Sequence, residues 1–141
     1  MPFDVLHGLV PVTKVMGANA EVVDTFAFAA PTGSQFELVG VSEVHDVAGT
    51  DAGAVTLDVK RCASGTTVAS GTSMLASTFS LKSTADTPVH KTVANGGVHQ
   101  TESSRIISGG QSIGLDITGT ATAVAGLAVT LWLRPLRRPS F

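Results

Sequence analysis

One cysteine, four histidines and a scatter of carboxylates are the residues of this chain with chemistry to offer, and their spacing decides what it is. Cys62 stands alone, so it has no intrachain disulfide partner, and a role as nucleophile or metal ligand would need a matched histidine or second ligand that the order of residues does not supply. A small half-buried side chain is the plain expectation for it. His7, His45, His90 and His99 nowhere fall at the H-x-H or H-E-x-x-H spacing that puts two imidazoles on one metal. His45 and Asp46 are adjacent, which on a strand sends their side chains to opposite faces. Serine is so common that a Ser/His/Asp trio can be drawn by chance. Asp46, Asp51, Asp58, Asp86 and Asp116 sit singly and lack the short fixed oxygen spacing of a calcium loop. No glycine-rich phosphate cradle follows a strand. The expectation is a protein that is not an enzyme and takes no metal or cofactor.

The elements that must position these residues read as strands. Hydrophobic residues alternate with polar ones from Glu21 onward: Phe26 and Phe28; Phe36, Leu38 and Gly40 through about His45; Val55, Leu57 and Val59; Leu75, Phe79 and Leu81 within 74–82; Val89 and Val93; Ile113, Leu115 and Ile117; Leu127, Val129, Leu131 and Leu133. Short strands are also expected over 67–70 and 103–107. Turn signals such as Pro31-Thr-Gly33 and Asn95-Gly-Gly97 separate the runs. No window shows a capped 3.6-residue period. Eight or nine strands at this spacing predict an all-β antiparallel sandwich. Residues 1–20 hold apolar residues broken by Gly8, Pro11 and Gly17, and read as an extended arm lying on its own domain or a neighbouring subunit. The domain is then 21–135, with a tail over 136–141 after Pro135.

Trp132 falls on the face of the last strand opposite Leu127, Val129, Leu131 and Leu133, so it points outward with Ala128 and Thr130. Three uses stay open for it: a sugar platform, an interface anchor, or a side chain covered by the arm. Leu6 and Leu9 of the arm are, with Trp132, candidate partner-interface residues. The tail holds Arg134, Arg137 and Arg138 among only nine basic residues. Pro135 and Pro139 remove backbone donors, so 136–141 is expected to leave the sandwich. Its guanidinium groups would then pair with an acidic neighbour, with Leu136 and Phe141 as apolar anchors.

Composition narrows the class. The chain has 141 residues, 43% hydrophobic and only 14% charged, with a net charge of −2. Mean hydropathy is +0.32. That excludes a disordered segment, a coiled coil and the basic excess of a nucleic-acid binder. The most apolar stretch, Ala123–Leu133, is too short to cross a bilayer as a helix, and the N-terminus lacks a basic signal-peptide start. Neither a nucleic acid nor a membrane is expected as partner.

From Gly53 onward the pattern resembles small virion structural proteins of tailed bacteriophages, those encoded beside the major capsid protein. The resemblance is carried by Gly53-Ala-Val-Thr-Leu-Asp-Val-Lys-Arg-Cys-Ala-Ser-Gly-Thr, Ala69-Ser-Gly-Thr-Ser-Met-Leu with Phe79-Ser-Leu-Lys-Ser-Thr, Ile107-Ser-Gly-Gly-Gln-Ser-Ile-Gly-Leu-Asp-Ile-Thr-Gly-Thr and the closing Ala125-Gly-Leu-Ala-Val-Thr-Leu-Trp-Leu-Arg-Pro. It covers about two-thirds of the chain and contains no catalytic signature. It implies a jelly-roll-like sandwich that decorates or cements the capsid exterior as a homo-oligomer, a trimer by preference, with the major capsid protein as partner and synthesis in the host cytoplasm. The other expectation is a carbohydrate-binding module of a head or tail fibre, built on Trp132.

Overall fold

The structure is a computed structural model that describes residues 8–140. Among these residues the chain forms ten strands and three short 3₁₀ turns: β1 (Val10–Met16), β2 (Thr25–Ala29), β3 (Gln35–Val44), β4 (Thr56–Cys62), β5 (Thr72–Ser73), β6 (Phe79–Ser80), β7 (Val89–Thr92), β8 (Ile106–Ser108), β9 (Ser112–Thr118) and β10 (Leu127–Arg137). Sheet A has the order β1-β10-β3-β7, with β8 also on β3, and sheet B has β2-β9-β4, with β5 and β6 both on β4. Every pair is antiparallel. The pairing is nested: β1 meets β10, β2 meets β9, β3 meets β7 and β8, and β4 meets β5 and β6. One long double ribbon is thus folded over on itself, its successive strand pairs falling alternately in sheet A and sheet B.

The alternating residues fill the space between the layers. Leu38, Val41, Leu57, Val59, Phe79, Leu81, Ile113, Leu115, Leu127, Val129 and Leu131 are all buried there. Each fully enclosed aliphatic side chain contributes roughly 1.5–3 kcal/mol of transfer free energy. Phe28 and Phe36 meet edge to face, ring centroids 5.1 Å apart, and tie the two sheets at one end. Phe26, expected in this core, is 50% exposed. The register of β2 shifts between Phe26 and Phe28, so Phe26 lies opposite Gly114 on the outer side while Phe28 lies opposite Ile113 on the inner side. A period-two count cannot see a bulge.

Other expectations shift for equally local reasons. The segment 67–70 is a 3₁₀ turn, Val68–Ser70, rather than a strand. Within 74–82 only Phe79–Ser80 pairs as a strand, while Leu75 makes a single bridge to Val98. Glu102–Arg105 is a 3₁₀ turn, and the strand begins at Ile106. Val10–Met16, assigned to the arm, pairs residue for residue with Leu133 back to Leu127. Pro11 forbids a helix there but is tolerated on an edge strand. Leu6 lies outside the described residues, and Leu9 is half-buried just before β1.

The last strand does not stop at Pro135. Pro135 faces Phe36 and Arg137 faces Gln35, with Leu136 as the extra residue between them. β1 ends opposite Leu133, so the other side of Pro135 needs no donor. Beyond the strand, the Ser140 amide donates to the Thr32 carbonyl at 2.8 Å. The segment expected to leave the sandwich is therefore held against it as far as Ser140; Phe141 lies outside the described residues.

Candidate functional site

The outer surface of sheet A is a grid in three rows, set by strand register. Val15, Ala128 and Val44 form one row, Thr13, Thr130, Ser42 and His90 the next, and Pro11, Trp132, Gly40 and Thr92 the third. Successive strands present every second residue to this face, which is why these small polar and apolar residues gather while their neighbours enter the core. The middle row satisfies itself: the Thr13 and Thr130 hydroxyls lie 2.9 Å apart, and the Ser42 hydroxyl lies 2.8 Å from His90 Nδ1. In the third row Gly40 has no side chain to compete with Trp132; a Cβ there would sit 3.8 Å from the indole Cδ1 and 3.5 Å from Thr92 Cγ2. Trp132 is 37% exposed and Val15 64% exposed. His90 is the one titratable residue in the grid.

Charge begins at the rim. Glu37 faces outward opposite Arg134, yet it is buried, because two guanidinium groups close over it. Arg105 reaches Glu37 Oε2 through both Nη2 (2.7 Å) and Nε (3.2 Å), and Arg134 Nη1 reaches Oε1 at 3.1 Å. Arg105 also donates to the His99 and Gln100 carbonyls, which pins the 99–105 segment over the end of β3. Arg134 thus serves a carboxylate of its own sheet while its side chain stays half exposed. Leu136, Arg137 and Arg138 continue from it as exposed side chains. Trp132, Leu136 and the three arginines thus occupy one end of sheet A, as their closeness in sequence foretold.

No family model, curated protein or solved structure matches this chain.

The other chemistry-bearing residues are placed elsewhere and do not converge. Cys62 is fully buried, and burial pushes its thiol up, away from nucleophile behaviour. Gly110-Gln-Ser-Ile-Gly114 has the letters of a nucleophile elbow, but Ser112 sits in mid-sheet between Ala29 and Cys62, and the chain runs on as strand β9 instead of turning into a helix. Among the described residues no three His, Cys, Asp or Glu side chains gather where they could hold a metal. An open groove of about 730 Å³ beside Val22, Val23, Ile117 and Ala121 has Asn19 and Asp24 on its wall, and both are occupied by the backbone: Asn19 donates to the Thr122 carbonyl and Asp24 accepts from the Ile117 amide.

Sequence reasoning missed the partners of Trp132. Pro11, Thr13 and Val15 come from the supposed arm, and Gly40, Ser42, His90 and Thr92 from two other strands. The alternation in β1 was a usable signal: Val12 and Met16 turn inward, while Pro11, Thr13 and Val15 turn out.

Proposed function

We propose that this chain is a non-enzymatic virion structural protein of a tailed bacteriophage, a decoration or cement protein that binds the major capsid protein on the capsid exterior as a homo-oligomer. The observation that carries the proposal is the exposed grid on sheet A, which lacks carboxylates, lysines and arginines. A face free of formal charge can be buried against a partner without the cost of stripping water from ions, and Trp132 at its edge is the residue type that anchors interfaces. The nested strand pairing supports the jelly-roll reading that goes with such proteins.

Scale decides the mode of binding. Four strands about 4.8 Å apart and three rows about 7 Å apart make a face on the order of 400 Å². A stand-alone interface needs roughly 800 Å² per partner. One subunit therefore binds weakly through this face, and linked copies, three in the form we favour, reach high occupancy by avidity. A carbohydrate platform is the second reading, favoured by the exposed indole of Trp132, beside which Gly40 adds no side chain.

The test is co-sedimentation with undecorated capsids. Thr130→Lys puts a charge in the middle row and Trp132→Ala removes the anchor; each should cut occupancy at least tenfold while leaving the unfolding midpoint close to the parent's, since both positions are on the surface. Occupancy unchanged in both variants overturns the capsid reading. Glycan binding lost only in Trp132→Ala replaces it with the second.

A further inference from the structure

Glu43 on β3 and His45 just past its end face into the sandwich, and both side chains are fully enclosed. Glu43 Oε1 and His45 Nδ1 are in short contact. On its other side the ring nitrogen Nε2 lies 3.1 Å from the Ser83 carbonyl oxygen. A carbonyl only accepts, so Nε2 carries a hydrogen. The remaining carboxyl oxygen, Glu43 Oε2, is buried and meets no donor. A carboxylate splits its charge over both oxygens, so an orphaned Oε2 would leave half an ion unsolvated in the core; the carbonyl oxygen of a neutral acid tolerates that place far better.

We propose that Glu43 and His45 hold one proton between them as a neutral carboxylic acid whose O–H donates to the Nδ1 of a neutral imidazole, a latch that makes the fold tightest in mildly acidic solution and slackens it above neutral pH. Burial supports this by pushing the Glu43 carboxyl up, against the opposing pull of the His45 hydrogen bond. Among the described residues only His45 pairs with Glu43; of the cations on the inner side of sheet A, Lys14 lies two strands away across Val129, and Lys91, one row along β7, is bonded to the Ser77 hydroxyl. β10 and β7 present Val129 and Val89 opposite Glu43. Asp46, next on the chain, turns to Gly126. Lys82 is bonded to the carbonyls of Asp51 and Gly53. Asp86 reaches the latch only through its amide, which donates to the His45 carbonyl at 2.8 Å. The latch therefore fixes the 83–86 segment to the end of β3 by two bonds, one from each part of His45.

The sign follows from counting protons. The folded pair binds one. Unfolded, the same two groups bind two below about pH 4.3, one up to about pH 6.5 and none above. Stability then rises with pH up to about 4.3, holds level, and falls above about 6.5, where the folding constant drops about tenfold per pH unit. A carboxyl that is raised in the folded state stabilises the fold below its unfolded value and loses that contribution as pH rises, so Glu43 is the source of the upper limb.

Two measurements on the full chain test this. Glu43→Gln retains a donor to Nδ1 but cannot ionise, so the ratio of parent to variant folding constants, from urea unfolding, should fall about tenfold per pH unit between pH 5 and 8; a flat ratio overturns the proposal. ¹⁵N shifts of the His45 ring at pH 6 should show a protonated Nε2 and a bare Nδ1; two protonated nitrogens would mean an ion pair and also overturn it. The second measurement uses the parent protein and decides the matter if the variant does not fold.

Discussion

The two outer faces of this sandwich are built on opposite plans. Sheet B carries Asp58 and Asp116 directly opposite one another on β4 and β9, and gives each a partner in place. Lys60 Nζ lies 2.6 Å from Asp116, and the Ser73 hydroxyl donates to Asp58 at 2.7 Å. The 3₁₀ turn at Val68–Ser70 then covers part of that face, with Val68 seated on Gly114. Among the described residues sheet A has no such cover over its grid, which holds no carboxylate, lysine or arginine. Its one outward carboxylate, Glu37, is capped at the rim by Arg105 and Arg134. Sheet B is thus closed by its own loop and ion pairs, whereas among the described residues the grid of sheet A is left uncovered, and this is the face that we propose a partner covers.

That contrast can be broken at three places. Glu37→Ala is expected to have the largest effect: it leaves Arg105, whose side chain is only 10% exposed, as an unpaired buried cation, at a cost of about 3–5 kcal/mol, read from the shift in urea midpoint. Gly114→Ala should strip the cover from sheet B. Its new methyl would come 2.7 Å from Val68 Cγ2, an overpacking cost of roughly 1–3 kcal/mol, and adding Val68→Ala should recover part of it. Asp116→Asn is the mildest, at ~0–1 kcal/mol, because the ion pair is partly solvated. Its pH signature sharpens the point. The hydrogen bond from Lys60 to Asp116 raises the ammonium group's pKa, so that contribution is present below about pH 10.4 and disappears as pH rises through the folded value. The parent and Asp116→Asn should therefore converge in alkaline unfolding.

What was legible in the sequence is what period two encodes. The runs at 55–59, 113–117 and 127–133 place their aliphatic residues inward as read, and Trp132 stands outward as read. Features that depend on a partner strand were not legible. The bulge that turns Phe26 out is fixed by pairing with Gly114 and Ile113. The continuation of β10 past Pro135 depends on β1 ending at Val10. Glu43 looked like one more alternating polar residue, yet a second bulge, between Trp132 and Leu133 against Gly40 and Leu38, shifts the inward set so that Val41 and Glu43 face the core. The acceptor for Arg134 was likewise invisible, since Glu37 is close to it only across the ladder. Most of the grid belongs to strands far from Trp132 in the chain, and no spacing rule links them.

The nested pairing also sets an order of assembly. β10 lies between β1 and β3, so sheet A has a gap at its centre until residues 127–137 have left the ribosome. Until then β1 has no strand to pair with, and the inner residues of β3 have a neighbour on one side only. Joining segments so far apart carries a large loop-closure penalty and makes for slow folding. The nascent domain thus keeps open strand edges until β10 emerges, the condition in which aggregation and chaperone capture compete with folding.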